Sequence, residues 1–218
     1  MSTDGRASLN TMRVFDQIVL DLTHAISLDP NNSRLYHERG KIYSDMGEID
    51  WAMEDFNHAI RMSSGDWDSY NNRAAAYAIK RDYDRAIEDF NQAIRLNPNN
   101  FLLYHNRGTA YLHKSDWDWA IADFSRAIRL SPNNHLAYHN RGASFAKKED
   151  WDRAFSDYNQ VIRLMPNSTV GYNARATAYY HIDDFDRAIA DWETVLIINP
   201  NDTTTKSRIE MARRSRGY

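Results

Sequence analysis

Apolar residues along this chain recur in short stripes at helical spacing, separated by polar runs and turn residues. Counted in windows of 34 from Ser33, a tyrosine stands at the fourth place (Tyr36, Tyr70, Tyr104, Tyr138, Tyr172) and Gly or Ala at the eighth. The eleventh place is aromatic (Tyr43, Tyr77, Tyr111, Phe145, Tyr179). Places 4, 8 and 11 fall on one face of a helix. A second stripe holds places 20, 24, 27 and 28, with alanine always at 20 (Ala52, Ala86, Ala120, Ala154, Ala188) and an aromatic ring always at 24 (Phe56, Phe90, Phe124, Tyr158, Trp192). The pattern predicts two helices per window. Small residues at 8 and 20 let them approach closely, and the rings fill the remaining volume.

The punctuation has the same period. The five prolines, Pro30, Pro98, Pro132, Pro166 and Pro200, are separated by 68, 34, 34 and 34 residues. Each stops a second helix, and Asn-rich stretches such as Asn97-Pro98-Asn99-Asn100 make the next turn. Asp-aromatic-Asp triplets (Asp82-Tyr83-Asp84, Asp116-Trp117-Asp118, Asp150-Trp151-Asp152, Asp184-Phe185-Asp186) supply cap oxygens and negative charge at the start of the second helix. Five full units follow: 33–66, 67–100, 101–134, 135–168 and 169–202. Residues 1–32 divide into a tail, 1–10, and a half unit, Thr11–Leu28, that matches a second helix only. Residues 203–218 form a polar capping helix with Ile209 and Ala212 facing inward; five cations against Glu210 give it +4, leaving −7 on the rest of the chain.

A helix pair of 34 residues, small at 8, 20 and 27, aromatic at 4, 11 and 24 and closed by proline at 32, resembles the tetratricopeptide repeat. The resemblance covers 33–202. It implies an all-α, right-handed superhelical solenoid of antiparallel helix pairs, well short of one superhelical turn, with the first helices lining a concave groove. It also implies that places 2, 5, 9, 12 and 13 of the first helix point into that groove. These include His37 and Lys41 in the first unit, Asn71 in the second, His105, Thr109 and Leu112 in the third, His139 and Lys147 in the fourth, and Asn173, Tyr180 and His181 in the fifth. Five of the eight histidines fall on the 25 groove places. The lining is nearly neutral and gains positive charge as histidine titrates near about 6.5.

Three further features recur within the frame. Place 7, usually aliphatic in this family, is always arginine (Arg39, Arg73, Arg107, Arg141, Arg175), and place 23 is always aspartate (Asp55, Asp89, Asp123, Asp157, Asp191). Antiparallel helices bring 7 near 23, so we expect partly buried Arg–Asp pairs, inside each repeat or bridging neighbours. A phosphate-gripping basic stripe is the rival reading, opposed by the aspartates. Asparagine recurs at place 6 (Asn72, Asn106, Asn140), where an amide suits either the main chain of an extended peptide or a tie between adjacent helices. Tryptophan stands at place 19 in two units (Trp51, Trp119), where Arg85, Arg153 and Arg187 stand in the others. It marks either a contact surface or packing against a neighbouring loop.

Composition narrows the function. With 42% apolar and 26% charged residues the chain is globular, and a net charge of −3 gives no global field for nucleic acid or an acidic membrane. It lacks cysteine, long apolar runs and an apolar secretory leader, which points to a soluble, cytoplasmic protein. The chaperone-tail clamp of one subclass is matched by Asn72 but not by His37, Lys41, Leu102 or Asn106. Asp-x-Asp recurs in frame as a helix start rather than a nucleotide site. His105 and His139 should lie roughly 8–10 Å apart on neighbouring helices, too far for a shared zinc. No Ser/His/Asp triad, phosphate loop or carboxylate dyad assembles, and no cofactor or metal is expected. The leading expectation is a non-enzymatic scaffold holding a peptide or helix of another protein at about micromolar affinity, with acidic ligands favoured as the histidines charge. The alternative is homo-oligomerisation through the half unit, whose Phe15, Ile18, Val19 and Leu22 lack a first-helix partner unless the tail folds over them. RNA binding is disfavoured by the acidic body.

Overall fold

The computed structural model describes residues 3–217, with side chains from residue 13 onward. Twelve helices and no strand occur among them. A long α1 (Thr3–Leu28) precedes five pairs: α2 (Ser33–Asp45) with α3 (Ile49–Met62), α4 (Trp67–Ile79) with α5 (Tyr83–Leu96), α6 (Phe101–His113) with α7 (Trp117–Leu130), α8 (His135–Lys147) with α9 (Trp151–Leu164), and α10 (Thr169–His181) with α11 (Phe185–Ile198). α12 (Thr203–Arg216) follows. The chain divides into two compact units, Met1–Ala110 and Tyr111–Tyr218, and the division falls within α6. In the first unit α2 packs on α3 and α4 on α5; in the second α8 packs on α9 and α10 on α11.

Each turn inside a pair is built alike. The residue at place 15 takes a left-handed conformation: Gly47 (φ 81°), Arg81 (62°), Ser115 (63°), Glu149 (58°) and Asp183 (59°). The next amide then bonds back to the carbonyl at place 11, as from Asp82 to Tyr77 and from Asp150 to Phe145, which closes the first helix. That next residue also caps the second helix: Asp82, Asp150 and Asp184 accept from the amides of Arg85, Arg153 and Arg187.

Close approach at places 8 and 20 sets the packing. Ala52, Ala86, Ala120, Ala154 and Ala188 have no exposed surface. A methyl group at Gly142 would lie 2.8 Å from the Tyr158 ring and 3.2 Å from Asp157 Cβ.

Beside these contacts runs a ladder of arginines. Arg39 gives Nε and Nη2 to the two oxygens of Asp55 at 2.8 and 2.7 Å. Arg73 does the same with Asp89, Arg141 with Asp157 and Arg175 with Asp191, all at 2.7–2.8 Å. These aspartates are buried, and so is Asp123. The third nitrogen, Nη1, reaches back to place 25 of the preceding unit: Arg39 to Thr23, Arg73 to Asn57, Arg107 to Asn91, Arg141 to Ser125 and Arg175 to Asn159. Every arginine of the row thus joins the preceding repeat, and four of them are forked on their own repeat's carboxylate. Each also lies about 6 Å from the ring of its place-4 tyrosine, as Arg141 does at 5.6 Å from Tyr138. With its donors paired within the scaffold, the row presents no free stripe to a phosphate.

The N-terminal end departs from expectation. Thr3–Leu28 is one unbroken helix, so residues 3–10 continue the axis of the half unit instead of folding over it. Nothing between Gly5 and Pro30 is strong enough to stop a helix; Asn10 and Thr11 inside one cost only a fraction of a kcal/mol. Phe15, Ile18, Val19 and Leu22 are half-buried rather than bare. The bare apolar residues of α1 are Val14, Leu20 and Leu28, at 57, 62 and 73% exposure. At the other end α12 buries Thr205, Ile209 and Ala212 against α11.

Candidate functional site

First helices lie side by side within each unit, α2 against α4 and α8 against α10. They present a common face, built separately in the two units.

In the first unit that face is largely committed to itself. His37 is buried, with Nδ1 2.7 Å from Ser69 Oγ and Nε2 3.3 Å from Asp68 Oδ2. The ring bolts α2 to the first turn of α4 and offers nothing to a ligand, contrary to its place in the frame. Burial follows from Asp66, Asp68 and Ser69, a cluster that only this junction carries. Asn106 Nδ2 donates to Asn71 Oδ1 at 3.0 Å, and Asn71 Nδ2 to Asn72 Oδ1 at 3.3 Å. This string of amides ties α4 to α6 while leaving donors on Asn72 and the acceptor of Asn106 outside it. Lys41 is exposed and 3.6 Å from Glu38. Thr109 gives its hydroxyl to the carbonyl of His105, one turn back.

His37, Ser69 and Asp68 have the residue types of a hydrolytic triad, which spacing along the chain does not suggest. Their geometry cannot activate a nucleophile. Ser69 is fully buried, and its hydroxyl donates to Asp66 Oδ2 at 2.5 Å. Its oxygen therefore accepts from His37, and the imidazole is not positioned to take its proton. The ring does hold the Asp68 carboxyl below the usual range by hydrogen bonding.

The second unit is more open. Between α8, α9 and α10 lies a depression of about 420 Å³ lined by Ala143, Ala146, Lys147, Trp151, Thr177 and His181 among others. Its volume comes from small side chains at places 9 and 12. His181 is exposed and stacks on Trp151, ring centroids 6.3 Å apart. Toward the start of the same helices Leu136 and Val170 stand 50 and 42% exposed. His139 and Asn173 occupy the same rung; His139 Nδ1 and Asn173 Oδ1 are buried without a hydrogen-bond partner among the described residues. Leu112 and Asn140 are half-buried, and the Asn140 carbonyl accepts from Ser144. Tyr180 turns away: it packs on Phe185 and Trp192 in the core of the last pair, at 5.4 and 5.9 Å.

Two of the five groove histidines are held back from charging. Burial pushes both His105 and His139 below the ordinary imidazole value, and His135 adds to the effect at His139. Both therefore take up a proton at lower pH than a solvated histidine does. Among the described residues no group of three or more His, Cys, Asp or Glu could hold a metal, and no helix is long and apolar enough to cross a membrane.

The outer tryptophans have a simple geometry. Arg85, Arg153 and Arg187 lie over the place-11 rings of Tyr77, Phe145 and Tyr179. Trp51 and Trp119 take the same seats, 6.2 and 6.0 Å from Tyr43 and Tyr111, and remain more than half exposed.

Comparison with known proteins agrees with this architecture. Sequence profiles described as tetratricopeptide repeat match residues 67–100, 101–134 and, in a second profile, 22–54. Among solved structures, the chain is similar to YrrB, a TPR protein with an unusual peptide-binding site, with a TM-score of 0.72 and 20% identity over 87% of this chain and 97% of that one. It is also similar to MamA (41-end) from Desulfovibrio magneticus RS-1, with a TM-score of 0.74 and 18% identity over 78% of this chain and 97% of that one. A thermophilic TPR protein of Thermus thermophilus, TTC0263, gives a TM-score of 0.63 and 19% identity over 83 and 98% of the two chains. No curated protein sequence matches the chain.

Proposed function

Because the chain belongs to the tetratricopeptide-repeat family, a family of interaction scaffolds, we propose that it holds a peptide segment of another protein on its first-helix face. The observation that carries this reading is the depression of the second unit, walled by alanines and edged by Lys147 and His181. A small-residue trough accepts apolar side chains with little cost in ordering, and Leu136 and Val170 extend the apolar contact. The ammonium of Lys147, at the rim of the trough, suits a carboxylate on the ligand. The peptide-binding site named for YrrB is in keeping with this use of the fold.

The ligand is thus an apolar segment carrying an acidic group, bound at about micromolar affinity, since the trough is shallow and offers no deep anchor. Catalysis is not assigned: Ser69 is fully buried and gives its hydroxyl hydrogen to Asp66 rather than to His37. An acidic repeat body opposes nucleic acid.

Selection from a displayed random-peptide library tests the reading, with wild type compared against Ala146→Trp and Thr177→Arg. Wild type should enrich apolar-acidic peptides, and both variants, with unchanged circular dichroism, should lose at least tenfold in affinity for them. Equal enrichment on all three proteins would refute it.

A further inference from the structure

Between α1, the end of α2 and the start of α3 lies a depression of about 440 Å³. Val19 and Leu20 line it from α1, and Tyr43, Met46 and Trp51 from the hairpin of α2 and α3. Two exposed carboxylates border it, Asp16 and Glu48. Glu48 stands three residues before Trp51, so its side chain and the indole share a face at the first turn of α3. The Glu48 carboxylate caps nothing. Neither acid has an ion-pair partner among the described residues, and exposed Arg13 pairs with neither.

The same acids recur elsewhere in the frame, where the chain itself supplies a cation to each. An acid at place 18 is met by place 14 of the next unit: Asp50 by Lys80, Asp118 by Lys148 and Asp186 by Arg216. An acid at place 16 is met by place 19 of its own unit: Asp82 by Arg85, Asp150 by Arg153 and Asp184 by Arg187. In the first unit both cations are exchanged for apolar residues, Met46 at place 14 and Trp51 at place 19, while Asp16 and Glu48 keep places 18 and 16. No other full unit loses both: the third has Trp119 but keeps Lys114, and the fifth has Ile182 but keeps Arg187. The depression therefore sets two uncompensated negative charges beside an aromatic and aliphatic surface.

We infer that this depression receives an arginine side chain from a basic segment of another protein, which supplies the cation that Lys80 and Arg85 supply one repeat further on. The aliphatic stem of the arginine covers Leu20 and Met46. Its guanidinium stacks on the open side of Trp51, within reach of Glu48 and Asp16. Arginine suits the site better than lysine, because a planar guanidinium serves a ring and a carboxylate at once. Two carboxylates repel phosphate, so neither nucleic acid nor an anionic lipid fits. The site belongs to the first unit and takes a cation, whereas the trough of the second unit takes an acidic apolar segment, and either reading survives the failure of the other.

The frame supplies its own control. Met46→Lys with Trp51→Arg copies the second unit into the first, and should close the site while leaving the fold intact. Peptide display is run on the Ala146→Trp chain, so that the trough of the second unit does not contribute. It should enrich peptides bearing arginine beside an apolar residue. The strongest of them, resynthesised, should lose at least about tenfold in affinity when Met46→Lys and Trp51→Arg are added to the chain. It should lose as much when its arginine is replaced by citrulline, which keeps the shape and drops the charge. Raising salt from about 50 to about 300 mM should weaken the complex severalfold. If the added substitutions abolish the circular dichroism signal, the citrulline comparison decides. Enrichment of peptides without arginine, equal affinity for the citrulline peptide, or equal binding by the closed chain would overturn the inference. So would a wild-type dimer that dissociates on Met46→Lys with Trp51→Arg, since the site would then belong to the arginines of a second copy.

Discussion

Asp157→Ala should cost far more than an exposed ion pair, and the cost can be worked from its surroundings. Asp157 is 3% exposed and accepts two hydrogen bonds from Arg141, whose guanidinium also reaches Ser125 Oγ at 3.0 Å. Removing the carboxylate leaves a cation whose side chain is 21% exposed, enclosed by the rings of Tyr138 and Phe145. Breaking a buried pair from one side costs about 3–5 kcal/mol. Partial access of water to Arg141 brings the expectation to the lower half of that range. Replacing both partners by apolar residues, Arg141→Met with Asp157→Val, should recover most of the loss, because no charge is then left unpaired. Urea melts followed by circular dichroism give the free energies, and the double-mutant cycle separates ion pairing from packing. A loss below about 0.5 kcal/mol for Asp157→Ala would mean the pair is solvated and the reasoning wrong.

Gly142→Ala should destabilise by roughly 1–3 kcal/mol in the same melts, because the added methyl lands 2.8 Å from the Tyr158 ring. Stability should also fall as pH drops below about 6.5, the unfolded histidine value. Burial lowers the folded pKa of His105 and His139, so the unfolded chain takes up protons first and the contribution, complete above that pH, is lost toward the folded values. His105→Gln and His139→Gln should each flatten part of that pH–stability profile; an unchanged profile in both variants would contradict the assigned cause.

The helix pairs were legible because their signals are local and repeated: a stripe, a cap, a proline. Arginine at place 7 and aspartate at place 23 were legible for the same reason, each keeping one identity. Their third partner was not. Place 25 reads Thr23, Asn57, Asn91, Ser125, Asn159, because any short acceptor satisfies one guanidinium N–H, so the position has a function without a letter. His37 was misread for the opposite reason. It shares its place with His105 and His139, but its fate depends on three residues of the next helix start that no other repeat copies. Tyr180 was lost to the groove because it is the one aromatic residue at place 12 of the five repeats, long enough to reach Phe185 and Trp192 of its own pair. At α1 the missing signal was a stop: a weak cap in a run without Pro or Gly does not end a helix.

The arginine row has one further consequence, for how such a chain can change length. Each side chain of the row finds an acceptor 16 residues behind it, and four find a carboxylate 16 residues ahead. A block duplicated or excised in multiples of 34 would arrive with its fasteners already matched, whereas a single-residue slip would misalign those on both sides of it. The row closes where Ile209 stands at place 7 and Glu193 at place 25, turning the last acceptor over to Arg213. Growth by whole blocks anywhere before that closure needs no new chemistry.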